Sequence, residues 1–89
     1  MSIKSHGCPV CGFSEFKALD ESGCTTFEIC PACGCESGCD YGKEEKDERL
    51  KELRQDWVLK RKAVWWSSHT KPPHDWDPKR QLDAAGLRP

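Results

Sequence analysis

Cys8-Pro9-Val10-Cys11-Gly12 and Cys30-Pro31-Ala32-Cys33-Gly34 are two copies of one pattern, Cys-Pro-x-Cys-Gly, with eighteen residues between Cys11 and Cys30. Two residues between the cysteines let both sulfurs of a pair approach one ion at about 2.3 Å. The proline presets the turn, and the glycine accepts the positive φ needed to leave it. Two such knuckles supply four thiolates, enough to close a tetrahedral structural site. The spacing therefore predicts one zinc ion held by Cys8, Cys11, Cys30 and Cys33. A disulfide pair or a redox-active Cys-x-x-Cys is the alternative, and two matched knuckles favour zinc.

The segment joining the knuckles reads as a β-hairpin. Glu15 to Leu19 forms one strand, Cys24 to Ile29 the next, and Asp20-Glu21-Ser22-Gly23 the turn. On that reading Thr25, Phe27 and Ile29 share one face, and residues 1–42 are a zinc ribbon.

A metal also answers a shortage of core. The chain has 89 residues, of which 36% are hydrophobic and 33% charged, too little apolar material for a self-sufficient interior. Its seven cysteines are an odd number, which argues against complete disulfide pairing. Met1 to Gly7 holds one lysine and no apolar run, so a cytoplasmic protein is expected. No stretch has the apolar length of a membrane span.

Three cysteines remain. Cys24 falls on the second strand, and Cys35 and Cys39 follow the second knuckle. The plain reading packs Cys24 as a small apolar residue and leaves the other two facing solvent. A second zinc ion would need a fourth ligand from His6, His69 or His74, and a thiol redox role for Cys24, Cys35 and Cys39 stays open.

Residues 43–89 form a helical extension, expected to pack with the ribbon as one unit. From Lys43 to about Trp66 there is no glycine or proline, and good helix formers predominate until Trp57. Glu44, Glu45, Asp47 and Glu48 lead this segment and Lys60, Arg61 and Lys62 close it, an order that complements a helix dipole. A long helix over 43–66 follows, with Leu50, Leu53, Trp57, Val64 and Trp65 near one narrow stripe. A Pro-rich linker occupies 67–76. Asp77 as N-cap, Pro78 at the first position and Gly86 after the end predict a short helix over 78–85. The fold class is thus a small zinc-stabilised α+β protein: a ribbon, a long helix and a short C-terminal helix.

Charge is unevenly divided. Residues 1–42 carry two basic and six acidic side chains, and residues 43–89 carry twelve basic and nine acidic ones. A zinc ion bound by four thiolates makes the ribbon half still more negative. This is the wrong sign for a ribbon that grips nucleic acid.

The Cys8-Pro9-Val10-Cys11-Gly12 motif, together with the run Phe27-Glu28-Ile29-Cys30-Pro31-Ala32-Cys33, resembles the small bacterial cysteine-rich CPCC family over about the first forty residues. The resemblance implies a zinc-ribbon-like fold, with Cys8, Cys11, Cys30 and Cys33 as ligands, and implies no activity.

No paired carboxylates, phosphate loop or nucleophile with a positioned base stands out. A zinc ion with four cysteine ligands has no position left for water. The expected function is therefore non-catalytic recognition of another protein, as an adaptor, regulator or toxin-immunity-like module. Trp65 or Trp66 would supply the anchor, beside Lys60, Arg61 and Lys62. Nucleic-acid binding through that basic, Trp-rich helix end is the second expectation, and a thiol redox or metal sensor the third.

Overall fold

The computed structural model describes residues 7–44 and 46–87. The two knuckles fold alike. Gly12 donates its N–H to the carbonyl of Cys8 and Gly34 to that of Cys30, each at 2.8 Å. Both glycines take a left-handed φ, +85° and +81°, so the chain doubles back at once. Cys8 then bonds to the Phe13 carbonyl at 3.0 Å and Cys30 to the Cys35 carbonyl at 2.9 Å.

The connecting hairpin forms only in part. Its turn is present: Asp20 Oδ1 accepts from the amides of Ser22 and Cys24 at 2.9 Å each, and Leu19 bridges Thr25 in antiparallel sense. Thr26 donates to the Ala18 carbonyl at 3.1 Å. Beyond Thr26 the chain changes partner. Ser37 donates to the Glu28 carbonyl at 3.0 Å, and Ile29 bridges Glu36. Phe27, at the crossing, has φ +58°. That left-handed residue interrupts the regular strand geometry, yet the Thr25 hydroxyl and the Phe27 ring both lie over Gly38. The pairing is limited to isolated bridges, and no strand forms among the described residues. The predicted hairpin is corrected accordingly: one short segment serves two partners and is too short to build a ladder with either.

Helix α1 spans Asp47–Gln55 and runs on as one π-helical turn, Asp56–Lys60. The predicted helix over 43–66 is too long at both ends. Lys46 is extended, with φ −75° and ψ 151°, so Asp47 is the first helical residue. After Lys60, Lys62 and Ala63 both turn left-handed, at φ +58° and +52°. Tertiary partners beyond them replace the helical bonds. The Trp57 indole N–H donates to the Val64 carbonyl at 2.9 Å. The amides of Trp66 and Ser67 donate to the carbonyls of Ala32 and Pro31 at 3.1 and 2.9 Å.

Helix α2 spans Pro78–Ala84, with the Asp77 side chain accepting from the Lys79 amide. It closes on Gly86 at φ +70°. Gly86 donates to the Asp83 carbonyl at 3.0 Å and Leu87 to the Leu82 carbonyl at 2.9 Å, the paired bonds of a Schellman ending.

The interior joins both halves of the chain. Trp57 is fully buried and belongs to the same apolar cluster as Val10, Cys11, Cys30, Cys33 and Leu82. Trp65 stands edge-on to Phe13 at 5.3 Å and to Trp76 at 5.2 Å, and Trp76 reaches Trp57 at 6.5 Å. Each such aromatic pair adds about 1 kcal/mol beyond the area it buries. Among the described residues no helix is long and apolar enough to cross a membrane.

Candidate metal centre

Cys8, Cys11, Cys30 and Cys33 converge so that their sulfurs all lie within 4.8 Å of one another. Two close approaches run between knuckles: 3.7 Å for Cys8 with Cys33 and 3.6 Å for Cys11 with Cys30. Four sulfurs bound tetrahedrally at about 2.3 Å stand about 3.8 Å apart, whereas a disulfide requires about 2.05 Å. The geometry therefore fits four ligands around one ion. All four residues are at most 2% exposed.

Their electrostatics agree with that donor set. Hydrogen bonding from Cys11 and then Cys33 holds the Cys30 thiol far down, while the hydrogen bond with Cys30 pushes Cys11 up and the bond with Cys11 pushes Cys33 up. Four sulfurs this close in a dry setting cannot all be thiolates unless a cation offsets their charge. The four cysteines can hold a metal ion.

The helical half holds both knuckles by their carbonyls. At the first, Arg54 donates to Val10 through Nε at 2.6 Å and to Pro9 through Nη2 at 3.0 Å. Gln81 Nε2 donates to Cys11 at 3.0 Å, its Oε1 held by the Trp76 indole at 2.7 Å. At the second knuckle the Pro31 and Ala32 carbonyls take the amides of Ser67 and Trp66, and Arg61 Nη1 donates to Cys33 at 2.9 Å. The carbonyls of residues 9, 10 and 11 and of residues 31, 32 and 33 are thus capped at matching positions, by side chains at the first knuckle and by two backbone amides and Arg61 at the second.

The knuckle glycines are covered too. A Cβ on Gly12 would lie 2.6 Å from the Ala85 Cβ, and one on Gly34 would lie 2.5 Å from the Trp66 indole. The sequence reading missed Arg54 and Gln81. Arg54 had a readable signal: it lies on the apolar face of the helix, four residues after Leu50 and three before Trp57.

The other cysteines fall differently from expectation. Cys24 is exposed and Cys35 is buried, the reverse of the predicted packing, because the chain leaves its pairing with Ala18 to Leu19 at Thr26 and carries the residues after Cys33 inward. Cys35 touches the centre through Cys33, whose hydrogen bond lowers the Cys35 thiol. Cys39 is exposed and donates to Glu36 Oε2 at 2.7 Å, and that carboxylate pushes its thiol up. Among the described residues no second group of ligands forms. His69 and His74 are exposed, and His6 lies outside the described residues.

Of the expected partner-binding residues, Arg61 is committed to Cys33 and pairs with Asp56 at 3.2 Å. Lys60 pairs with Asp56 at 3.8 Å, and Lys62 is exposed. Trp65 belongs to the aromatic interior, while Trp66 is 49% exposed and lies over Gly34. Tyr41 is buried in the same cluster as the cysteines, and its hydroxyl has no hydrogen-bond partner among the described residues. Burial, then the charges of Cys8, Cys33, Cys30 and Cys35, push its ionisation far up.

A groove between Val58, Ala63 and α2 is lined by Pro78, Lys79, Leu82, Asp83 and Leu87. It holds no nucleophile with a base. Comparison of the chain with protein-family models, with curated proteins and with solved structures finds no match.

Proposed function

We propose that the chain is a non-catalytic zinc-ribbon module that recognises another protein, with one structural Zn2+ bound by Cys8, Cys11, Cys30 and Cys33. One observation carries the reading: the four sulfurs form a closed, buried set whose knuckle carbonyls are bound by the rest of the chain. With every ligand position filled by protein, the metal has no place for water or substrate. Its role is to fix the backbone of a small chain that lacks core. Soft thiolates suit zinc, and the likeness of the knuckles to the CPCC family supports the same ion.

Protein recognition is favoured over nucleic-acid binding because Arg61 and Lys60 are already paired with Asp56 and Arg61 also holds the Cys33 carbonyl. The test is native mass spectrometry of the untagged protein with a thiol count, before and after chelation. One zinc ion with three free thiols, Cys24, Cys35 and Cys39, is the expected result. Iron in the same site would move the centre to electron transfer, and no metal with paired disulfides would overturn the reading. The recognition half is tested by affinity capture from the native host, comparing zinc-loaded with chelated protein. A partner held only by the loaded form is expected, and recovery of none sinks it.

A further inference from the structure

Phe27 is held in a left-handed conformation, φ +58°, and is 61% exposed. The fold needs the chain to change partners here, and glycine would do so without steric cost. A phenylalanine at this position is strained, and burial does not compensate for it. Its ring is nonetheless seated: it lies against Gly38, itself at φ +97°, so closely that a Cβ there would overlap it. Thr26 fixes the preceding residue, donating through Oγ1 to the Lys17 carbonyl at 2.8 Å. The aromatic group is thus fixed before any partner arrives, which lowers the ordering cost of binding.

The surroundings specify the partner's charge. Ile29, 43% exposed, lies two residues on and bridges Glu36. Glu28 is exposed beside Phe27, and Asp40 donates its amide to the Glu36 carbonyl. Residues 7–42 contain six carboxylates, Glu15, Asp20, Glu21, Glu28, Glu36 and Asp40, against the single cation Lys17. Four zinc-bound thiolates would add a further net negative charge.

We infer that Phe27 and Ile29, framed by Glu28 and Glu36, form a docking surface for a protein segment that carries an apolar side chain among lysines or arginines. The inference rests on the protein-recognition reading and identifies the surface that performs it. Complementary charge steers and selects the segment, and the seated ring supplies the anchor.

The test is selection of short random peptides, displayed on phage, against the full zinc-loaded chain, followed by affinity measurement of the enriched sequences. Enriched peptides are expected to be basic around an apolar residue and to bind less tightly as salt shortens the screening length. Phe27→Gly is expected to weaken them by about tenfold or more while leaving zinc content and melting temperature unchanged or raising the latter. Glu28→Gln, whose side chain makes no internal bond among those described, should reduce the salt dependence. Enriched peptides that bind Phe27→Gly as well as the parent would overturn this surface and leave the recognition reading intact. Acidic peptides would also overturn it. No enrichment on the parent chain would overturn both.

Discussion

Tyr41 is the chain's only tyrosine, so its ionisation can be followed without interference. It is buried neutral beside four cysteines, and burial raises its folded ionisation above the ordinary value of 10.0. For a group raised in the folded state, the stabilisation is present below the unfolded value and is lost as pH rises above it. Phenolate absorbance should therefore stay silent above pH 10.0 until the fold opens, and then appear in one step with unfolding. Gradual ionisation in the folded protein would contradict this placement. Tyr41→Phe removes a buried hydroxyl that has no partner among the described residues and should be neutral or stabilising at neutral pH, with stability retained further into alkali. Arg54 makes the opposite case. It is 7% exposed and bonds to two knuckle carbonyls, so Arg54→Ala should cost about 2–4 kcal/mol. Chelator competition should show looser metal binding in that variant, and a denaturant midpoint should fall with it. The four converging cysteines were legible because their spacing is a local property. Tyr41 was not, because nothing within a few residues of it says that it will be buried in the same cluster as Cys8 and Cys33.

At the scale of the element, each knuckle is a turn that is completed from outside. Gly34 needs its left-handed φ and also the space its missing Cβ leaves for Trp66. Gly34→Ala should therefore cost about 3 kcal/mol, combining the left-handed penalty with displacement of the indole. Gly23 has a similar φ of +80° with nothing within 4 Å of its would-be Cβ. Gly23→Ala should lose only the backbone share, about 1 kcal/mol. Thermal melts of the two variants separate conformation from packing, and equal losses would mean that Trp66 does not matter to the knuckle. Helix α2 was readable from Asp77, Pro78 and Gly86 because caps act within one turn. The end of the first helix was not readable. Its sequence continues with residues that tolerate helix, and only the pull of Pro31, Ala32 and Val64 as hydrogen-bond acceptors ends it at Lys60.

The whole molecule is held together through the backbone of the candidate metal centre. Six knuckle carbonyls accept from Arg54, Gln81, Arg61, Trp66 and Ser67, every one in the C-terminal half. Loss of the metal should therefore unfold both halves at once, since binding and folding share one free energy. Titration with a strong chelator, followed by helical circular dichroism and tryptophan emission, should give coincident transitions. Helical signal that outlasts metal release would show that residues 47–87 fold independently. The sequence alone determined which four cysteines come together, the short C-terminal helix, the division of charge and the need for something beyond a hydrophobic core, because spacing, capping and composition are carried by neighbouring residues. Tertiary structure alone decided which of Cys24 and Cys35 is buried, how Phe27 is turned outward, where the first helix stops, and which tryptophans are interior. Each of those depends on a partner distant along the chain, and one-dimensional patterns do not record what a side chain or carbonyl will meet once the two knuckles have closed.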